Sequence, residues 1–299
     1  MRKILIAIFF LLASLQCVAG NKCEPIDTIK IESECGYVIV PVKVNGRSLR
    51  FVLDTGVENI VVWRDSLVRN DCGDALLLKY VDGGSNIKVG IKSEQNEIEI
   101  GSYKFRKFID RVPESLLTQI LDSLQTSGIL GYNFLMNSNM CTKIDARQGI
   151  MVLTRQKDLF KHEKCHKFHV KESTCLPTIN VSIAPSNKIK VKFDSGFGGL
   201  LTIDSLTMKG LMADKRFEQF NEIKYGSYRD LAAFDSAMYE QKTRFIKSEY
   251  LKVGKLTISQ PVIVFDSRNE TNLLGADLFK YAVVYFNSRK KYMGIAPYD

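Results

Sequence analysis

Short apolar runs and apolar–polar alternation dominate the chain, and helical periodicity is scarce. Tyr37-Val-Ile-Val-Pro-Val-Lys-Val44 reads as a strand ending at Asn45-Gly46, a pair suited to the left-handed positions of a two-residue hairpin turn. Arg50-Phe-Val-Leu53 then runs directly into Asp54-Thr55-Gly56. The same order recurs later. Residues 176–183 read as a strand, Pro185-Ser-Asn187 marks a turn, and Ile189-Lys-Val-Lys-Phe193 alternates into Asp194-Ser195-Gly196. Only residues 113–124 and 208–220 read as helices, so the pattern predicts a mainly β protein with few short helices.

The repetition extends past the acidic triplets. Gly128-Ile-Leu-Gly131 follows the first and Leu273-Leu-Gly275 the second, at similar distances downstream. Each copy then closes on two strand-like runs around a polar turn, residues 143–153 and 283–295. Matched motif order argues for one structural plan written twice. The predicted boundaries are an N-terminal unit over residues 21–155, a connection over residues 156–173 rich in Lys and His, and a C-terminal unit over residues 174–299.

With 45% hydrophobic and 25% charged residues, a chain of 299 residues has the material for a sizeable core. Residues 1–20 are read apart from the fold. Arg2 and Lys3 precede an apolar run over residues 4–12, and the small residues Val18, Ala19 and Gly20 follow. That is the arrangement of an export signal, too short to span a bilayer. It predicts a periplasmic or extracellular protein with no transmembrane segment in the mature chain. Cys17 offers a lipid anchor as the less favoured alternative, because Gln16 before it is bulkier than such processing prefers. Loss of the signal removes two cations from a formal net charge of +9. The remaining cations are scattered without a basic arm, which argues against a nucleic-acid partner. Cys23, Cys35, Cys72, Cys141, Cys165 and Cys175 would remain, an even number that permits disulfides without choosing their pairing.

One Asp-Thr/Ser-Gly triplet is a weak signal, since Asp often closes its own turn. Two such triplets, each ending an apolar strand and each followed by an apolar-apolar-Gly element, are far more specific. Two carboxyls brought together can share one proton, the ionised one acting as a base towards a water and the protonated one as an acid towards a carbonyl. Asp54 and Asp194 are the candidate pair, with the acid and base roles belonging to the two together. This chemistry calls for no metal and no other cofactor. Gly56 and Gly196 suit a tight turn at which two backbones approach closely.

Phe51-Val-Leu-Asp-Thr-Gly56 with Ile129-Leu-Gly131, and Val191-Lys-Phe-Asp-Ser-Gly196 with Leu273-Leu-Gly275, resemble the motifs of retropepsin-like and pepsin-like aspartic peptidases. The resemblance is greatest to exported bacterial members with two retropepsin-like units in one chain. It implies the bilobal aspartic-protease (acid protease) fold, with two homologous β-barrel-like lobes and few short helices. It further implies a monomer with pseudo-dimeric lobes, acting as an endopeptidase on a peptide or protein substrate. By the same resemblance, Thr55 and Ser195 each hydrogen-bond the opposite lobe, and the apolar-Gly elements brace the acidic turns. A substrate flap is also implied, and Gly83, Gly84 and Ser85 fit it in the first copy. Residues 225–230 or 234–239 are the counterparts in the second. The alternatives are a catalytically weak or inactive peptide binder of the same fold, and a homodimer that pairs lobes of two chains.

The residues after the triplets depart from the resemblance. They are Val57 and Phe197, where pepsin-like members usually carry Ser and many retropepsins Ala. Neither has a hydroxyl to stabilise an ionised acid, so the expected pH optimum is less acidic than pepsin's. His162, Cys165, His166 and His169 cluster in the connection and read as solvated linker rather than as a metal site. Asp204, Asp230 and Asp235 lack a paired motif and read as surface or turn residues. Trp63, the only tryptophan, reads as packing rather than as a ligand platform.

Overall fold

The computed structural model describes residues 24–34, 36–63, 76–81, 87–113, 121–170, 177–184, 187–213, 218–220, 243–266 and 270–299. The expected export signal with Cys17, the cysteines Cys23, Cys35, Cys72 and Cys175, and all of the flap candidates lie outside these residues.

The strands of the first half are β1 (Ile26–Lys30), β2 (Glu32–Glu34), β3 (Tyr37–Val44), β4 (Arg47–Asp54), β5 (Ile60–Val62), β6 (Leu76–Val81), β7 (Ile87–Ile100), β8 (Tyr103–Arg111), β9 (Gly128–Gly131), β10 (Cys141–Asp145) and β11 (Ile150–Thr154). Helix α1 (Tyr132–Met136) follows β9. The second half begins with β12 (His166–His169), β13 (Thr178–Ala184), β14 (Asn187–Phe193), β15 (Leu201–Ile203), helix α2 (Ser205–Met212) and β16 (Glu218–Phe220). It continues with β17 (Thr243–Lys247), β18 (Tyr250–Val253), β19 (Leu256–Ser259), β20 (Val262–Asp266), β21 (Leu273–Leu274), a 3-10 turn (Ala276–Lys280), β22 (Ala282–Asn287) and β23 (Tyr292–Pro297). The chain is thus mainly β with few short helices.

β3 and β4 pair around Asn45 (φ 50°) and Gly46 (φ 82°), two left-handed residues that match the turn to the twist of the strands. β4 lies parallel to β9, β9 antiparallel to β5, and β5 parallel to β8. β8 pairs with β7 and β7 with β3, so this sheet closes into a barrel-like ring. The C-terminal sheet repeats the plan. β13 pairs antiparallel with β14, β14 parallel with β21, β21 antiparallel with β15, and β15 parallel with β20. The long strands β7 and β8 become two pieces each here, β17 with β18 and β19 with β20. The break falls where Gln260 is left-handed (φ 48°) and Pro261 lacks an N–H to give the ladder. Alternate residues of both sheets, among them Val40, Val42, Phe51, Leu53, Ile179, Val181, Val191 and Phe193, are buried in one continuous core.

The closing hairpins of the two copies merge. β10 pairs with β22 from Cys141 opposite Asn287 to Ile144 opposite Val284, giving a sheet of order β1-β11-β10-β22-β23-β12. All six residues of β22 are buried, as its unbroken Ala-Val-Val-Tyr-Phe run requires. This sheet staples the two halves together, helped by Ser288 Oγ donating to Met140 O (2.9 Å) and Lys291 Nζ donating to Met136 O (3.0 Å).

Several expectations need correction. The connection is not plain solvated linker, because His166–His169 forms β12 on the edge of β23. The open edge of β23 offers the backbone partners, and the rings of His166 and Phe168 pack at 4.6 Å. The second helix starts at Ser205 rather than 208, because the Asp204 side chain caps it by accepting from Thr207 N (2.7 Å). It ends at Met212, and residues 218–220 are a strand paired with β17. Of the first expected helix, residues 114–120 lie outside the described set and 121–123 are helical. Cys141 and Cys165 are free thiols, and burial pushes the Cys141 thiol up to about 11, which suits packing rather than reactivity. Among the described residues no helix is long and apolar enough to cross a membrane.

Two glycines give the packing a test of opposite signs. A Cβ at Gly128 would sit 2.6 Å from the Phe51 ring and 2.7 Å from Val61 O, whereas one at Gly210 on α2 meets nothing within 4 Å. Gly128→Ala should lower stability by about 1–3 kcal/mol. Gly210→Ala should raise it by about 0.4–1 kcal/mol. Urea denaturation of both variants against wild type reads the two directions.

Candidate active site

Two strands deliver the two acids. Asp54 is the last residue of β4, and Asp194 follows the last residue of β14. Each closes a tight turn, with Val57 N bonded to Asp54 O (3.4 Å) and Phe197 N bonded to Asp194 O (3.2 Å). Each carboxylate also accepts from its own turn: Gly56 N donates to Asp54 Oδ1 (2.7 Å), and Gly196 N donates to Asp194 Oδ1 (2.9 Å). The local, turn-closing role of Asp is therefore real in both copies. What sets these turns apart is that they face each other.

The approach is so close that it demands glycine. A Cβ on Gly56 would lie 2.6 Å from Asp194 Cγ, and one on Gly196 would come within 3.0 Å of all three carboxyl atoms of Asp54. No side chain fits at either place. The fully buried Thr55 and Ser195 then bind the two turns reciprocally. Thr55 Oγ1 donates to Phe193 O (2.9 Å) and accepts from Ser195 N (2.9 Å). Ser195 Oγ donates to Leu53 O (2.9 Å) and accepts from Thr55 N (3.0 Å). Each hydroxyl both donates and accepts across the junction, so loss of either leaves buried backbone groups unpaired.

The apolar-Gly elements brace the turns from behind. Tyr132 N donates to Val57 O (2.7 Å) and Ala276 N to Phe197 O (2.8 Å). A Cβ at Gly131 would sit 2.7 Å from Val57 O, and one at Gly275 would sit 2.5 Å from Phe197 O, so both positions need glycine for contact rather than for dihedral freedom. Phe197 is buried beneath this element, and its turn makes the same backbone bonds as that of Val57. Trp63 is buried in a cluster with Tyr37, Ile39, Val52 and Leu121, and its indole N–H donates to Asp122 Oδ1 (3.1 Å).

Polar supports lie behind the turns that no motif announces. Asn59 Nδ2 donates to Asp110 Oδ2 (2.8 Å), and Asn133 Nδ2 donates to Asn59 Oδ1 (2.9 Å), tying the first turn to β8 and α1. In the second copy Asn272 Nδ2 donates to Lys190 O (3.1 Å), and Asn272 Oδ1 accepts from Asp204 N (2.8 Å). Asp204, expected as surface or turn, is the helix cap at this place. The partners of these amides come from strands distant in sequence, so no local spacing marks them.

Burial raises the Asp54 carboxyl well above its ordinary range, and the neighbouring charge of Asp194 raises it further against the pull of the Gly56 N–H. Burial also raises Asp194, opposed by the Gly196 N–H and by its hydrogen bond with Asp54. That shared bond favours the neutral form of Asp54 and the charged form of Asp194. The two carboxyls therefore titrate as a coupled pair, with proton affinity raised above that of an ordinary Asp. Both residues keep part of their surface open.

Gly83, Gly84 and Ser85 lie outside the described residues, but β6 and β7 on either side of them pair from Leu76 opposite Lys92 to Val81 opposite Ile87. Comparison with known proteins found no matching family pattern and no matching curated protein.

The raised proton affinity has a thermodynamic consequence with a definite sign. A carboxyl raised by folding contributes stability while it is protonated, and that contribution is lost as pH rises through its folded value. Asp54→Asn removes the buried charge without changing the shape. The variant should be more stable than wild type at about pH 7, by about 1 kcal/mol, and the difference should vanish towards about pH 3. Thermal denaturation of both proteins across pH checks this.

Proposed function

We propose that this chain is an aspartic endopeptidase of the bilobal acid-protease fold, exported after removal of residues 1–20. The two barrel-like sheets are its lobes, and a peptide lies between them over the paired acids. One observation carries the reading. Asp54 and Asp194, delivered by the same element of two repeated units, face each other closely enough to couple their ionisation, under reciprocal bonds from Thr55 and Ser195.

The chemistry follows from one proton on two carboxyls. A water bound between them gives a proton to the ionised carboxyl as its oxygen attacks the scissile carbonyl. The protonated carboxyl donates to the carbonyl oxygen, so the tetrahedral intermediate is a neutral diol that is never covalently attached to the protein. As it collapses, the proton taken from water passes to the leaving nitrogen while one diol hydroxyl returns its proton to the other carboxyl, so the pair again holds one proton. Both carboxyls must stay close and desolvated throughout, which the junction's hydrogen bonds supply. Burial and the absence of a hydroxyl at Val57 and Phe197 both favour a weakly acidic optimum.

A peptide library incubated with wild type, Asp54→Asn and Asp194→Asn across pH tests the reading. Wild type should cleave with a weakly acidic optimum, and each variant should lose about 10^3-fold or more in kcat while remaining folded. Val57→Ser should move the acidic limb to lower pH by roughly half a unit or more, because a hydroxyl donated to Asp54 favours its charged form. A wild type that binds peptides and cleaves none of them would make the chain a peptide binder. An optimum below about pH 3 would contradict the proton-sharing account.

A further inference from the structure

The internal repeat lets one surface of the protein be compared with its own counterpart. On the outer face of the N-terminal sheet, Ile39, Val52, Ile129 and Val61 form one row across β3, β4, β9 and β5. Leu121 and Leu124, which precede β9, pack with that row, and Tyr37 and Trp63 complete the apolar cover. Beyond it the charges are balanced. Lys43 pairs with Glu99 (3.8 Å), Lys104 with Glu99 (3.0 Å) and Glu97 (3.3 Å), and Arg50 with Glu32 (2.6 Å) and Glu34 (3.3 Å).

The same register in the C-terminal sheet carries different residues. The corresponding row is Thr178, Lys192, Leu273 and Thr202. The connection that would cover it, residues 267–272, is much shorter than 112–127. Lys190 stands where Arg50 does, and Lys252 stands where Glu99 does, a reversal of charge. Lys188, Lys190 and Lys252 are exposed, Lys192 is half-buried, and Lys255 adds an exposed cation at the β18–β19 turn. Strands β13, β14, β18 and β19 contain no Asp or Glu, and none of these lysines joins an ion pair among the described residues.

We propose that this face is a docking surface for an anionic lipid bilayer. Along β14 the lysines stand about 7 Å apart, and Lys252 lies two strands away at roughly 10 Å, so the charges spread in two dimensions rather than along a single row. A surface of headgroups can meet such a spread in both directions, whereas one extended acidic peptide meets only a row. Thr178, Asn180, Ser182 and Thr257 lie among the lysines with side chains able to donate to phosphate oxygens. None of the exposed large apolar residues lies on these strands, so attachment is electrostatic and reversible. β14 runs from this face straight into Asp194, so a docked molecule holds its acidic pair beside the membrane.

Vesicle flotation of the full chain tests this, comparing phosphatidylcholine alone with phosphatidylcholine containing about 30% phosphatidylglycerol. The readout is the preference for anionic over neutral vesicles, because residues 4–12 would favour both equally. Wild type should show a strong preference at about 50 mM salt and lose it at about 0.5 M. Replacing Lys188, Lys190 and Lys252 together by Ser should reduce it about 100-fold, at roughly 5-fold per lysine. Lys104→Ser with Arg106→Ser on the N-terminal sheet should change it less than about 3-fold. Circular dichroism verifies that the variants fold. An unchanged preference in the triple variant, or none in wild type, overturns the proposal. Salt-sensitive binding to polyglutamate without vesicle binding also overturns it and identifies an acidic protein as the partner.

Discussion

Two carboxyl groups set against one another resist carrying two negative charges, and much of this structure serves to keep Asp54 and Asp194 in that position. Like charges in a poorly solvated place repel, so the pair stays together only because stronger constraints fix the backbones that carry it. Gly56 and Gly196 leave room for the approach. Thr55 and Ser195 exchange four hydrogen bonds across the junction. β9 and β21 stand behind the turns, and the merged sheet of β10 and β22 fixes the two halves over a longer span. Removing one of these would let the acids separate and titrate as ordinary surface carboxyls.

Much of this was legible in the sequence because its signals are local. Asn45-Gly46 announces a hairpin through the left-handed dihedrals those residues tolerate, and β3 and β4 follow. The acidic triplets and apolar-Gly elements announce themselves by order and repetition. What was not legible depends on partners far along the chain. Nothing near Cys141 says that β10 will pair with β22, since an apolar run buried on both faces carries no register. A Lys- and His-rich segment gives no sign of becoming β12 until β23 offers it an edge. Asn59, Asp110, Asn133 and Asn272 are common residues in loops and strands, and only the fold converts them into supports. Asp204 is the exception, for Asp followed by Ser-Leu-Thr is an ordinary helix start that can be read locally.

The two copies hold the junction alike and differ in what they turn to the solvent. The N-terminal sheet covers its outer row with Leu121, Leu124, Tyr37 and Trp63 and balances its remaining charges. The C-terminal sheet has a shorter connection there and lysines of one sign. Residues that set the acidic turns are tightly constrained by contact, whereas the outer faces are free to diverge without disturbing them. Such a division allows one half to gain an interaction surface while the paired acids remain the same.

A carboxyl-carbon NMR titration of the two acids, in wild type and in Asp194→Asn, addresses the shared proton most directly. The account predicts that the pair titrates in two coupled steps, the upper one well above the ordinary Asp value of about 3.9, and that this upper step moves down when Asp194 loses its charge. Two independent titrations near the ordinary value, unchanged by the substitution, would contradict it.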